Sequence, residues 1–193
     1  MKLPSVVGVL RSDDPTRALK LARAAMRGRL RALEVTCTVP NAAQVIATLR
    51  LEEPSCLIGA GTVLSAAQAD EVIRAGADFL VSPHFGVEIL EIARAANVPY
   101  IPGVLTPTEV AAALSAGCEI VKIFPIARAG GVAYLRDLRG PFPQLKAIVT
   151  GGVTSAEVSA YLRAGALSVG LGELFTGDLD EVEGRTRALL DSL

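Results

Sequence analysis

A recurring unit constrains this chain more than any single motif. A helical stretch ends in Gly or Asn, and a short β-rich run follows. Gly28 precedes Leu33-Glu34-Val35-Thr36, Gly76 precedes Phe79-Leu80-Val81, and Asn97 precedes Tyr100-Ile101. Gly117 then precedes Ile120-Val121-Lys122-Ile123, and Gly165 precedes Leu167-Ser168-Val169. The gaps between these markers are 48, 21, 20 and 48 residues. A unit of about 20–24 residues, the length of one strand, one helix and two loops, accounts for them if each long gap holds two units. Each Gly or Asn is expected to supply the left-handed residue that closes a helix. Helix starts are marked too, by Asp14-Pro15 and by the pairs Ser65/Gln68, Thr106/Glu109, Thr154/Glu157 and Asp178/Glu181 at capping-box spacing.

The pattern predicts strands near 5–10, 31–36, 56–60, 78–82, 99–102, 119–124, 147–150 and 166–170. Helices are expected near 15–27, 40–50, 65–75, 85–96, 106–116, 131–138, 155–164 and 179–191. Eight alternations in 193 residues suit a compact (β/α)8 TIM barrel, an α/β fold occupying 1–193 as one domain, with a C-terminal helix at about 179–191. An open doubly wound sheet is the competing arrangement, but no Gly-x-Gly-x-x-Gly turn follows the first strand. Composition agrees with buried parallel strands under alanine-rich helices: 51% of residues are hydrophobic, 4% are aromatic and there is no Trp.

The same numbers exclude several functions. Net charge is −1 and the basic residues are scattered, so nucleic acid is not an expected partner. Cys37, Cys56 and Cys118 are odd in number and widely spaced, and His84 is the only histidine, so neither a disulfide framework nor a metal site is expected. Every apolar run is interrupted well before the length of a membrane span, and strand-like sequence begins at once, so no membrane segment and no signal peptide are expected. The expected compartment is the reducing cytoplasm.

Two strands carry charge where a barrel has little room for it. The chain has four lysines against fifteen arginines, and Lys122 lies inside Ile120-Val121-Lys122-Ile123-Phe124. Strand side chains alternate, so if helices cover Val121 and Ile123, Lys122 faces the barrel interior. Burying an ammonium is costly unless it is paired, and a desolvated lysine becomes a nucleophilic amine that attacks carbonyls. On Glu34-Val35-Thr36-Cys37-Thr38, the same alternation turns Glu34, Thr36 and Thr38 to one face. Glu34 near Lys122 would serve the proton transfers of Schiff-base chemistry. On residue types alone, a structural Glu–Lys ion pair explains both residues as well. His84 reads as a rim residue, and Cys37 and Cys118 as small apolar fillers.

The remaining strand ends complete an ordered set: Glu34-Val35-Thr36 followed by Pro40, Gly59-Ala60-Gly61-Thr62-Val63, Ser82-Pro83, Ile101-Pro102-Gly103-Val104, Lys122-Ile123-Phe124-Pro125, Gly130-Gly131, Gly140-Pro141-Phe142 and Thr150-Gly151-Gly152-Val153. From about residue 5 to 172 the chain resembles the bacterial 2-keto-3-deoxy-6-phosphogluconate aldolases, also called 4-hydroxy-2-oxoglutarate aldolases. The resemblance implies a homotrimeric class I aldolase without metal or cofactor. Its substrate would be a 2-keto-4-hydroxy acid, cleaved into pyruvate and an aldehyde. It implies that Lys122 forms the Schiff base and Glu34 is the acid/base. Thr62 would help hold the pyruvyl carboxylate, Pro83 and Phe124 would line the pocket, and the Thr150-Gly151-Gly152 stretch would offer N–H groups to a substrate phosphate. Two positions depart from the family pattern. Thr38 stands where an arginine usually grips the carboxylate. Gly172-Glu173 stands where a phosphate-contacting serine is expected, so either Glu173 turns away or the substrate lacks the phosphate. Arg128 is a candidate source of positive charge. A phosphate-binding barrel isomerase or transferase that uses no imine, and a non-catalytic binding barrel, are the alternatives.

Overall fold

The computed structural model describes residues 1–193. Nine strands alternate with eight helices. The strands are β1 (Val6–Leu10), β2 (Ala32–Thr36), β3 (Leu57–Gly61), β4 (Leu80–Val81), β5 (Tyr100–Ile101), β6 (Gly103–Val104), β7 (Val121–Ile123), β8 (Ala147–Thr150) and β9 (Ser168–Leu171). The helices are α1 (Pro15–Arg27), α2 (Ala42–Glu52), α3 (Ala66–Arg74), α4 (Val87–Ala95), α5 (Pro107–Ser115), α6 (Gly131–Arg139), α7 (Val158–Arg163) and α8 (Leu179–Asp191). All strand pairs are parallel, in the order β5-β4-β3-β2-β1-β9-β8-β7-β6.

The two ends of that order, β5 and β6, are halves of one strand. Tyr100 and Ile101 pair with β4, whereas Gly103 and Val104 pair with β7. Pro102 stands between them and has no N–H for a ladder. Its carbonyl still accepts from the Lys122 amide at 2.8 Å. The ring therefore closes through the chain itself, and the architecture is an eight-position TIM barrel with its fifth strand divided. The expected 99–102 strand is thus shifted and split, and the expected 119–124 strand is shortened to three residues.

Alternation along the strands sorts the core into two layers. A cluster of fifty buried residues lies between strands and helices, including Val6, Leu10, Leu33, Val35, Val121, Ile123 and Val149. A second cluster, including Val7, Ala32, Phe79, Val81, Ile101, Ile120 and Ile148, fills the inside of the barrel. This inner plug forms an apolar floor. The strand positions above it, toward the C-terminal ends, carry the polar residues.

Four of the five helix-closing markers behave as expected, since Gly76, Asn97, Gly117 and Gly165 all have positive φ. Gly28 does not: its φ is −70°, and Arg29 takes the left-handed conformation instead. Gly28 is there for packing. A Cβ on it would lie 2.7 Å from the Glu183 carbonyl and 2.8 Å from Thr186 Cβ, which would push α1 off α8. Among the anticipated capping boxes, Thr106/Glu109 and Asp178/Glu181 are complete, and Thr154/Glu157 starts a 3-10 turn leading into α7. Ser65 accepts from the Gln68 amide, but the Gln68 side chain accepts from Leu64 rather than closing the box. No helix is long and apolar enough to cross a membrane.

Candidate active site

Lys122 and Glu34 meet above the apolar floor. Lys122 Nζ donates to Glu34 Oε1 across 3.5 Å, and each residue is only 3% exposed. Neighbours on both sides fix the pair. β7 runs between β6 and β8, with Lys122 opposite Gly103 and Ile148. β2 runs between β1 and β3, with Glu34 opposite Val9 and Gly59. The Lys122 ammonium also lies 5.3 Å from the centre of the Phe124 ring.

Glycines make the space for this pair. A Cβ on Gly61 would fall 1.9 Å from Glu34 Oε1, so only a bare backbone at 61 lets the carboxylate lie across β3. A Cβ on Gly103 would fall 2.2 Å from the Pro83 carbonyl carbon, so Gly103 lets the Ser82-Pro83-His84 turn pack over β6. Tyr100 secures that turn from below. Its hydroxyl accepts from the Gly86 amide at 3.1 Å, donates to the His84 carbonyl at 3.1 Å, and lies 2.5 Å from Ser82 Oγ. His84 itself is exposed at the rim.

The polar side of β2 continues upward. Thr36 is fully buried and donates to the Leu10 carbonyl at 3.0 Å, and its hydroxyl lies 2.8 Å from that of Thr38. Thr38, exposed at the strand end, thus has its hydroxyl partly engaged. Thr62 follows Gly61 with a positive φ of 54° and is half-buried. Cys37 faces the other way and packs against the outer core. Burial pushes its thiol up to about 11, so at neutral pH it is protonated and a poor nucleophile. Cys118 is buried and burial raises its pKa too.

A cavity of about 300 Å³ opens at the C-terminal ends of β1, β8 and β9. Its walls are Val9 in β1 and Arg11 just after it, Phe124 after β7, residues 150–154 from the last position of β8 onward, and Gly170, Gly172 and Glu173 around the end of β9. Phe124, Thr150, Gly151, Gly152, Gly172 and Glu173 line it together, whereas Lys122, Glu34, Thr38, Thr62 and Pro83 do not. The N–H groups of Gly151, Gly152 and Gly172 donate to no acceptor in the chain. Glu173 turns its carboxylate to the Ser155 amide, at the start of the turn before α7. Arg128 does not line the cavity; Arg11 does. The signal for Arg11 was present in the alternation of β1. Val7 and Val9 face inward, and Arg11 is the next position of that series.

Geometrically, the arrangement offers a buried amine beside a carboxylate, and a cavity at the strand ends lined by unpaired backbone N–H groups, one arginine and one glutamate. Known proteins similar to the chain are aldolases. The family model described as "KDPG and KHG aldolase" matches residues 1–183. A 2-dehydro-3-deoxy-phosphogluconate aldolase of Treponema pallidum is 37% identical over 157 residues, covering 81% of this chain and 75% of the relative. The crystal structure of a KDPG aldolase from Legionella pneumophila, with pyruvate captured as a covalent carbinolamine, superposes with a TM-score of 0.89 at 33% identity, covering 96% of this chain and 93% of that one. The Zymomonas mobilis 2-keto-3-deoxy-6-phosphogluconate aldolase with 3-phosphoglycerate gives a TM-score of 0.90 at 31% identity, covering 97% and 91%.

Proposed function

This chain belongs to the KDPG and KHG aldolase family, and from that premise we propose that it cleaves a 2-keto-4-hydroxy acid into pyruvate and an aldehyde through an imine on Lys122. It is a carbon–carbon lyase. 2-Keto-3-deoxy-6-phosphogluconate, releasing glyceraldehyde 3-phosphate, and 4-hydroxy-2-oxoglutarate, releasing glyoxylate, are the two candidate substrates. The observation that carries the reading is the 3.5 Å contact between two buried, oppositely charged side chains at the C-terminal ends of barrel strands.

The reaction follows from that pair. The Lys122 amine, in its neutral form, adds to the C2 ketone, and a proton shuttled by Glu34 reaches the former carbonyl oxygen. A second proton delivery expels that oxygen as water and leaves an iminium. The iminium nitrogen is the electron sink. Loss of the C4 hydroxyl proton then breaks the C3–C4 bond, its electron pair moves toward nitrogen, and the aldehyde departs from an enamine. Protonation at C3 and hydrolysis release pyruvate and restore the amine. Because the iminium accepts the electrons, the cleavage asks for no metal or cofactor. Phe124 and Pro83 would wall the keto acid, Thr62 would donate to its carboxylate, and Gly151 and Gly152 would offer N–H groups to the far end. The chain is read as one barrel domain over 1–193, working in the cytosol as a homotrimer, in keeping with its family resemblance.

Incubation with pyruvate and borohydride followed by mass spectrometry tests the mechanism. The expected result is one reduced pyruvyl adduct per chain, mapped to Lys122. An unmodified Lys122, or full activity in Lys122→Arg, would overturn it in favour of a barrel enzyme that uses no imine.

A further inference from the structure

We propose that Tyr100 is a positioning residue: with Ser82 it fixes the turn that carries Pro83, and through that turn it sets how tightly the keto-acid end of the substrate is held. The proposal rests on the aldolase reading above and adds to it a residue packed on the outer side of the barrel wall.

The fold leaves a seam at this point. β4 pairs with β5 only at Leu80–Tyr100 and Val81–Ile101, and beyond Pro102 the chain pairs with β7 instead. Above Ile101 the wall between the fourth and fifth strand positions is therefore held by single contacts. The Ser82 amide donates to the Ile101 carbonyl at 3.3 Å, and the Gly103 amide donates to the His84 carbonyl at 3.2 Å. Gly103 is the register partner of Lys122, so the turn is tied to the residue beside the amine. A Cβ on Gly103 would lie 2.2 Å from the Pro83 carbonyl carbon, which measures how closely the turn rests on that strand. Pro83 tops the strand whose inward residue is Val81.

Two hydroxyls fill the seam. Tyr100 is 6% exposed, and Ser82 is fully buried. The phenol oxygen accepts from the Gly86 amide at 3.1 Å, lies 2.5 Å from Ser82 Oγ and reaches the His84 carbonyl at 3.1 Å. Ser82 also donates to that carbonyl. One oxygen thus holds both ends of the turn, at 82 and at 86. Burial raises the Tyr100 pKa, so the phenol keeps its proton at neutral pH and can accept and donate at once. Proton counting makes the two hydroxyls interdependent. The His84 carbonyl spends one lone pair on Gly103, which leaves one for a hydroxyl. One hydroxyl takes it while the other donates to its partner's oxygen. Removing the phenol oxygen does more than subtract one bond, because it leaves the buried Gly86 amide without an acceptor. A buried donor without a partner is costly, and movement of the backbone that carries it relieves the cost.

The test uses the full chain and reads the yield of borohydride adduct against pyruvate concentration, with urea unfolding alongside. The variants are Tyr100→Phe, Ser82→Ala and, as a control, Tyr134→Phe, whose hydroxyl donates to the Leu105 carbonyl outside this network. In Tyr100→Phe the pyruvate concentration for half-maximal adduct should rise about 3- to 10-fold, the size of one neutral hydrogen bond. The yield at saturating pyruvate should stay at one per chain, and KM for D-glyceraldehyde in the condensation should not move, because Pro83 walls the keto-acid end. Ser82→Ala should give a smaller rise. The double variant should rise by less than the product of the two, since the hydroxyls share their protons. A tyrosine that only stabilises the fold would lower the urea midpoint and leave half-saturation unchanged, and that result would overturn the proposal. An equal rise in Tyr134→Phe would overturn it as well, by showing a general loosening of the barrel. Absence of an adduct in the unaltered protein would strike the imine mechanism alone, and the pyruvate KM of the condensation would then decide the role of Tyr100 by the same comparison.

Discussion

Glu34 and Lys122 are buried side chains, each held by strands on both sides, while Arg11, Gly152 and Gly172 at the mouth above them are exposed. The lower region works with side chains of fixed direction. The upper one works with backbone amides and a single long, mobile-armed cation. Under the proposed mechanism, the difference follows from what each would do. Imine formation needs an amine and a proton carrier at defined separation in a dry place, where their interaction is strong. Holding a tail anion needs donors that water can also reach, since the tail must arrive and leave.

The comparison breaks most decisively at the bottom. Lys122→Met removes the proposed nucleophile, and kcat/KM for cleavage should drop by at least about 10⁴-fold. It also strands the Glu34 carboxylate among apolar neighbours, so stability should fall by about 3–5 kcal/mol unless the carboxylate takes up a proton. Glu34→Gln should keep the amine and lose the shuttle. Its rate should fall about 10²–10⁴-fold, while borohydride trapping with pyruvate still labels Lys122, only more slowly. If Glu34→Gln traps and turns over at the parent rate, the pair is a structural ion pair and the distinction between the two regions disappears. Stopped trapping assays together with urea unfolding measure both consequences.

That contrast also explains which parts could be read from the amino acids. Lys122 and Glu34 were legible because a charged residue on a β-branched strand is conspicuous, and alternation alone gives its direction. The eight-position barrel was legible because each unit carries its own start and stop signals. Gly61 was not, since its purpose appears only when the register sets it across from Thr36 with the Glu34 carboxylate lying over it. The division of the fifth strand needed Pro102 to be seen between two different partners. Gly28 looked like a helix terminator, and only the approach of α8 shows why a side chain is forbidden there. At the mouth, amide donors have no residue identity to read. Arg11 lies one residue beyond the predicted strand 5–10, outside the stretch over which alternation assigns a direction.

Substitution at Gly151 sharpens the upper side of the comparison. Its φ is +93°, and a Cβ there would lie 2.8 Å from the Phe124 ring and 2.9 Å from Pro125 Cα. Gly151→Ala should cost about 1–3 kcal/mol of stability from strain and crowding. It should also tilt the loop and raise KM for tail-bearing substrates more than it changes pyruvate trapping. Gly184→Ala provides the counterpart. Gly184 lies within α8 with no heavy atom within 4 Å of an added Cβ, so the alanine should stabilise the protein by about 0.5–1 kcal/mol and leave kinetics unchanged. Urea midpoints of the two variants should therefore move in opposite directions. Movement in the same direction would mean that the strain at 151 is relieved by the loop.

Glu173 tests how the mouth is tuned, through a several-fold change in substrate choice. Its carboxylate accepts from the Ser155 amide, which ties the end of β9 to the turn before α7. It also places one negative charge in a cavity whose only cation is Arg11. Glu173→Ser keeps a short acceptor near that amide but removes the charge, so the stability loss should stay near about 1 kcal/mol. A phosphate dianion is repelled by Glu173 more than a single carboxylate is. The ratio of kcat/KM for 2-keto-3-deoxy-6-phosphogluconate over 4-hydroxy-2-oxoglutarate should therefore rise several-fold, up to about 10-fold, for removal of one partly solvated like charge. The rise should shrink as salt is added, because screening weakens what the carboxylate did. A ratio that falls instead would show that Glu173 matters through the shape it gives the Ser155 turn, with its charge already spent on that amide. The mouth would then be a neutral cradle with one arginine above it, and phosphate and carboxylate tails would be separated by size alone.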